Sequence, residues 1–158
     1  MVAQRENPLL VKWTRMLAAA GISEANLLSE RYDPEHFGDG EAIFQLSGAI
    51  VLRLVRDRGE DFVDIAPHSA PDERFRWDDV CIALGWRKVE NVVGRTHPVP
   101  MQEELAEVVA HASDLELALG GERLPSTRKV VRTAAQQRER AFLGKLQRLA
   151  DAHDEGCN

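Results

Sequence analysis

The sequence predicts an α+β fold: an N-terminal helix, a three-stranded antiparallel meander, a short helix and a C-terminal antiparallel helical hairpin. Three observations support this prediction. Apolar residues recur at helical spacing near both ends of the chain, strand-length apolar segments fill the middle, and turn residues containing Gly separate those segments. The 158 residues suit a single domain, residues 1–158, with one buried core.

Residues 1–30 are predicted to be helical. Pro8 suits a first helical turn, and Gly21 suits the position after a helix end. A cap at Ser23 then predicts a second short helical turn through residues 27–28. The apolar residues of the first helix fall on one stripe: Leu9, Leu10, Trp13, Leu17 and Ala20.

Residues 31–40, RYDPEHFGDG, are rich in Pro, Gly and Asp and predict a connecting loop. The meander follows over residues 41–66 as the segments EAIFQL, AIVLRLVR and EDFVDIA. Ser47-Gly48 and Asp57-Arg58-Gly59 separate the segments, and such residues suit tight hairpin turns. The second segment is apolar on both faces, which is typical of a central strand.

A short helix is predicted over residues 77–85, with Asp78 and Asp79 in its first turn and Gly85 at its end. Polar residues interrupt the next apolar segment, for which a short strand over residues 89–93 is the expectation.

The predicted hairpin joins a helix over residues 101–119 to one over 126–151. Each helix has an apolar stripe, and the stripes pack either within the molecule or, for one of them, on a second copy, so a homodimer is possible. Arg138 interrupts the second stripe and marks either a wet edge or a position where a partner supplies a carboxylate. That stripe consists of Val131, Ala135, Arg138, Phe142, Leu146 and Leu149.

Charge is unevenly distributed around the net value of −6. Residues 1–122 contain 12 Lys+Arg against 22 Asp+Glu, whereas residues 123–158 contain 8 against 4. An acidic body favours basic partners over nucleic acid, although an ordinary solvated surface is the alternative interpretation. The basic helix offers a second surface, for which pairing with acids of the preceding helix is expected rather than nucleic-acid binding. Its basic residues include Arg128, Lys129, Arg132, Arg138 and Arg140.

Patterns that carry catalytic or metal chemistry are absent from the sequence, so we expect neither an enzyme nor a cofactor. The five histidines are scattered, and neither Cys81 nor Cys157 has a Cys or His neighbour, so no metal site is predicted. Ser47 lacks the flanking glycine of a nucleophile elbow. The stretch His36-Phe37-Gly38-Asp39-Gly40-Glu41 lacks the ending of a phosphate loop. Adjacent acids are interpreted as turn or helix-start residues rather than as a catalytic pair.

The N-terminal residues do not resemble a secretory signal, and no segment approaches the ~20 apolar residues of a membrane span. Two cysteines are too few for a disulfide framework. We therefore expect a cytoplasmic protein without a membrane partner.

Residues 38–86 contain GDGEAIFQLSGAIVLRLVRDRGEDFVDIAP followed by FRWDDVCIALGW. This region resembles the core of small α+β immunity proteins of bacterial polymorphic toxin systems. In those proteins a Gly-Glu leads into a hairpin, an Arg-Asp-Arg-Gly-type turn ends a strand, and a short helix with an aromatic start follows.

The resemblance implies a cytoplasmic antitoxin that binds a cognate protein toxin and blocks its active site or the entry of its substrate. An acidic antitoxin associates quickly with the basic cleft that toxins acting on nucleic acids often carry. The alternative is a regulatory or adaptor protein that dimerises or binds nucleic acid through its basic C-terminal helix. The expected toxin-contact residues are Asp57, Glu60, Asp61, Asp64, Asp72 and Glu73.

Overall fold

The computed structural model describes residues 7–155, with side chains described for residues 7–153. The chain divides into two compact units. The first contains the residues up to Arg76 together with Val99–Leu124, and the second contains Trp77–Pro98 and the residues from Pro125 onward. The α+β class is confirmed, and the single domain stays a prediction. Cys157 and the first six residues of the predicted helical region lie outside the described residues.

Helix α1, Pro8–Ala19, confirms the first predicted helix. The Asn7 side chain caps it by accepting hydrogen bonds from the N–H groups of Leu9 and Leu10. Leu9, Trp13 and Leu17 of the apolar stripe are buried, as expected for an amphipathic helix that contributes to a core, whereas Leu10 and Ala20 are half-buried. The second predicted helical turn is wrong, because residues 27–28 belong to a strand.

Within residues 7–155 the sheet has five antiparallel strands in sequence order, so the prediction of three strands is incomplete. Strands β2, β3 and β4 correspond to the predicted meander, and β1 and β5 extend it on either side. Their bounds are β1 Asn26–Asp33, β2 Asp39–Gln45, β3 Ile50–Asp57, β4 Glu60–Pro67 and β5 Phe75–Arg76.

Strand β1 escaped the sequence pattern because it is an edge strand that buries little. Its two leucines, Leu27 and Leu28, remain substantially exposed, and a register shift occurs between Leu27 and Ser29. Hydrogen bonds to β2 therefore determine its conformation. The predicted loop over residues 31–40 is too long, because only residues 34–38 lie between β1 and β2.

One face of the sheet packs against α1, α4 and α5. Helices α4, Met101–Ala110, and α5, Ala112–Leu119, replace the single predicted helix, which is interrupted at His111. No Pro or Gly marks this break in the sequence. Strand β5 is short and does not pair with Val63 of β4. The N–H of Val63 instead donates a 3.3 Å hydrogen bond to the carboxylate of Glu104. A buried carboxylate thus satisfies an N–H group of β4.

The second unit contains α2, Trp77–Ala83, α3, Val89–Val93, and the long helix α6, Leu124–Glu155, from Pro125 onward. The predicted short helix is confirmed over Trp77–Ala83, and Gly85, with φ +79°, lies in the turn that follows it. The strand expected over residues 89–93 is wrong: local hydrogen bonds such as Gly94 N–H to Glu90 O make it a helical turn. The predicted hairpin also does not match in detail, because α4 and α5, separated at His111, take the place of its first helix.

Candidate functional site

Two turns lie at the same end of the sheet, which we call the turn end. They are the β1–β2 turn, residues 34–38, and the β3–β4 turn, Arg58-Gly59. In an antiparallel meander these connections fall on one side, and a hydrogen bond joins them here. The backbone N–H of Arg58 donates to Oδ1 of Asp39 at 2.7 Å. The turn end is therefore a single connected surface.

Phe37 is the most exposed large apolar residue of the described chain, with 84% of its surface accessible. Its φ of +57° lies in the left-handed region, which is unfavourable for a bulky side chain. The Asp33 carboxylate holds the preceding residues by accepting from the N–H groups of Glu35 and His36 at 3.0 and 3.2 Å. The backbone thus presents the aromatic ring to solvent on a locally braced turn.

Asp57 and Glu60 face each other across the β3–β4 turn, and both are exposed. Arg58 and Gly59 between them have φ values of +50° and +84°, as a two-residue type I′ hairpin turn requires. Among side chains 7–153, neither carboxylate forms an ion pair. Both predicted contact residues are therefore available to a partner.

Asp61 also lies near the turn end but is engaged within the fold. Arg56 donates two hydrogen bonds of 2.7 Å to its carboxylate, and Lys12 of α1 donates a third. Burial raises the pKa of Asp61, but the hydrogen bonds and charges of Arg56 and Lys12 outweigh this effect and hold the pKa below its usual value. Much of the charge of Asp61 is thereby neutralised internally.

Asp64 is buried in the middle of β4, with 4% of its surface accessible. In the strand register it lies opposite Arg53 of β3 and Arg76 of β5, on the face of the sheet opposite to α1. Burial raises the pKa of Asp64, whereas the charges of Arg76, Arg74 and Arg53 act in the other direction and Glu41 adds to the rise. Such burial excludes direct contact between this carboxylate and a docked partner.

Asp64 lies in a cluster of charged residues that also includes Arg53, Glu41 and Arg74. Within this cluster Arg53 forms a 2.7 Å ion pair with Glu41. It also donates a 2.9 Å hydrogen bond to the backbone carbonyl of Pro71, and Arg74 lies 3.1 Å from Glu41. These contacts tie the β4–β5 connection to the sheet. The cluster therefore has a structural explanation that requires no catalytic role.

Asp72 and Glu73 lie in this β4–β5 connection, away from the turn end. The connection leaves β4 at the other end of the sheet and returns across the face as far as Arg53. The six predicted contact residues therefore do not form one patch, and only Asp57, Glu60 and Asp61 lie together. Sequence reasoning missed Phe37 and Asp39. An aromatic side chain in an otherwise polar turn is the sequence signal that could have identified Phe37.

The predicted basic surface is divided as well. Lys129, Arg132 and Arg140 are exposed on α6, and Arg128 is half-buried. Arg138 donates hydrogen bonds of 2.6 and 3.1 Å to the buried carboxylate of Asp79 on α2. Arg138 therefore marks neither a wet edge nor a position for a partner's carboxylate, because Asp79 of the same chain binds it.

Among the cavities of the described residues are two clefts that bear on function. One, of about 320 Å³, lies in the first unit near the β2–β3 turn, and Glu24 and Glu116 are among its lining residues. The other, of about 490 Å³, lies between α2 and α6 and includes Lys129 and Gln137. Neither cleft brings together a nucleophile, a base and an oxyanion donor, which catalysis of acyl transfer requires.

Within residues 7–153, no group of three or more His, Cys, Asp or Glu side chains is arranged to hold a metal ion. The described helices include none with the length and apolar character needed to span a membrane.

Comparison of the chain with protein-family models, with curated proteins and with solved structures finds no match in any of the three.

Proposed function

We propose that this protein is a non-catalytic cytoplasmic immunity protein that binds a cognate bacterial toxin domain through the turn end of its sheet. The observation that carries the proposal is Phe37, an aromatic side chain held in solvent on a braced turn beside exposed acidic residues. Its partner is a toxin domain with an apolar pocket surrounded by basic side chains.

The position of Phe37 supports a binding role because its side chain contributes little to folding. Most of its apolar surface remains in water. Its left-handed backbone conformation also lowers the stability of the fold by on the order of 1 kcal/mol. Aromatic residues that enter a pocket on a partner dominate the energy of many interfaces. Insertion of the Phe37 ring into such a pocket would offset both costs.

The charge of the turn end supports a partner with a basic surface. Asp57 and Glu60 are exposed beside the turn, and Asp39 adds a third carboxylate through its contact with the second turn. A basic toxin cleft would be attracted to this end of the sheet and would associate rapidly at low ionic strength. The same acidic residues disfavour nucleic acid as a partner for this surface.

The residues that carry the family resemblance shape the turn end. Gly40 permits the close approach of Leu9, and Glu41 binds Arg53. Arg58 and Gly59 form the tight turn that separates Asp57 from Glu60. These structural roles account for the motif, so the identity of the toxin depends on the exposed residues around it.

Affinity capture with the tagged protein from its native host, followed by calorimetry on the captured toxin fragment, tests the proposal. We expect a one-to-one complex with a nanomolar dissociation constant. Phe37→Ala should weaken it at least about 100-fold, as expected for an aromatic hot spot. The double variant Asp57→Lys/Glu60→Lys should weaken it further and slow association.

The matched control is Glu24→Lys/Glu116→Lys, which changes the net charge equally at the other end of the sheet. Its affinity should stay within about threefold of the wild type, because surface charges far from an interface act weakly in salt. Unchanged affinity in both the Phe37 and the Asp57/Glu60 variants would exclude the turn end as the binding surface. A captured complex that retains toxin activity would refute neutralisation itself.

The alternative function, a regulator that binds nucleic acid through its basic helix, is supported by the exposure of Lys129, Arg132 and Arg140. It requires salt-dependent binding to duplex DNA, with a slope that falls when these residues are replaced. Binding of this kind, together with no captured toxin, would favour the regulator over the immunity protein.

A further inference from the structure

The C-terminal half of α6 carries an apolar stripe that the described fold leaves open. Phe142, Leu143, Leu146 and Leu149 have between 47% and 59% of their surface accessible. The spacing of Phe142, Leu146 and Leu149 places them along one face of the helix. Contiguous exposed apolar surface of this kind marks an interaction site more often than scattered apolar residues do.

The first half of the same helix shows how a covered stripe differs. Val131 and Ala134 are buried, and Arg138 is bound to Asp79. Lys145 donates a 2.9 Å hydrogen bond to the last carbonyl of α3, that of Val93. The helix is therefore anchored as far as Lys145, and its apolar stripe continues past the elements that cover it.

We propose that this stripe is a self-association surface on which α6 of a second copy packs antiparallel, with Leu146 at the centre of the contact. Positions 139, 142, 146, 149 and 153 alternate between intervals of three and four, which is the repeat of a two-helix coiled-coil seam. The partner is chemically the same stripe, so both apolar surfaces are covered in one symmetric contact.

The polar residues at the two ends of the stripe favour one orientation. In a parallel pair each position faces itself, so Glu139 would meet Glu139 and His153 would meet His153. In an antiparallel pair about Leu146, Glu139 faces His153 of the second copy, because the two positions are equally distant from Leu146. The antiparallel pair replaces two like-residue contacts with two complementary ones.

The size of the surface limits the strength of the contact. Four half-exposed large side chains represent roughly 400 Å² of apolar surface per copy, about half of what a standard stable interface buries. The association should therefore be weak, with a dissociation constant between about 10 μM and 1 mM. It is independent of the proposed toxin-binding function, which uses the turn end.

Sedimentation equilibrium of the full chain over this concentration range tests the inference. The wild type should show a reversible monomer–dimer equilibrium. Phe142→Ser/Leu146→Ser should raise the dissociation constant at least about tenfold, with circular dichroism confirming that α6 remains helical. Leu117→Ser removes a leucine of α5 that is more exposed than Phe142 or Leu146 and should leave the equilibrium unchanged.

Orientation is tested by charge exchange. Glu139→Lys should weaken the dimer, and Glu139→Lys/His153→Glu should restore it if the helices are antiparallel. A wild type that stays monomeric throughout the range, or association that the double serine variant does not change, would overturn the inference. So would a monomer whose stripe binds only anionic phospholipid vesicles, since the stripe would then contact lipid.

Discussion

Asp61 and Asp64 lie on the same strand, yet their surroundings shift their pKa values in opposite directions. Asp61 faces α1 and is bound by Arg56 and Lys12, so its ionised form is favoured. Asp64 faces the other side of the sheet, where burial penalises the charge more than the nearby arginines favour it. The two residues therefore contribute to stability in different pH ranges.

Replacement of Asp61 by Asn should destabilise the protein by about 1 kcal/mol at neutral pH, because two cations lose their acceptor. The folded-state pKa is lowered, so this contribution is fully present above the unfolded-state pKa of about 3.9 and is lost as the pH falls through the folded-state pKa. Urea unfolding of both proteins at pH 7 and near pH 3 measures this difference. A difference that does not shrink at the lower pH contradicts the prediction.

Replacement of Asp64 by Asn should act in the reverse sense. The folded-state pKa of Asp64 is raised, so the protonated carboxyl group contributes fully to the stability of the fold below about pH 3.9. This contribution is lost as the pH rises through the folded-state pKa. Asn does not ionise, so the variant should gain on the order of 1 kcal/mol relative to the wild type between acid and neutral pH. Chemical denaturation across that range tests this, and a relative loss with rising pH would show that the arginines dominate.

Gly40 is required by the packing of α1 on β2. A Cβ atom at this position would lie 2.7 Å from Cδ1 of Leu9 and 2.8 Å from the carbonyl oxygen of Arg31. Gly40→Ala should therefore cost about 1–3 kcal/mol, as overpacking usually does. Gly48→Ala is the control: a Cβ atom there meets no atom within 4 Å, so thermal unfolding should change little.

At the scale of elements, the ion pair between Arg138 and Asp79 connects α6 to α2 within the second unit. Arg138→Met leaves a buried carboxylate without its cation and should cost about 3 kcal/mol. Adding Asp79→Asn should recover much of this loss, because an amide is less costly to bury than a charge. A double-mutant cycle measured by chemical denaturation gives the coupling, and additive losses would show that the pair is not coupled.

Element types were predicted well where the determining residues lie close together in sequence. Asn7 and Pro8 begin α1, and Arg58-Gly59 closes the β3–β4 hairpin, so local chemistry was sufficient. Strand β1 and the helical turn α3 were missed because their apolar patterns are weak. Hydrogen bonds to β2 determine the conformation of β1. The hydrogen bond from Lys145 to the Val93 carbonyl supports α3.

At the scale of the whole molecule, we expect one cooperative unfolding transition despite the two compact units. The part of the second unit that the structure describes has three helices, two of them short, and a core of that size is marginal by itself. Differential scanning calorimetry should give equal calorimetric and van't Hoff enthalpies. Two resolved transitions would instead identify the units as separate domains and refute the prediction of a single one.

The sequence by itself determined the α+β class, the central hairpins and the acidic residues Asp57 and Glu60 at the turn end, because periodicity and turn chemistry are local properties. Only the tertiary structure decided that Asp64 is buried, that Asp79 neutralises Arg138, and that Phe37 and the stripe around Leu146 remain uncovered. Burial and ion pairing depend on which distant segments meet, and a single chain's sequence pattern does not specify those contacts.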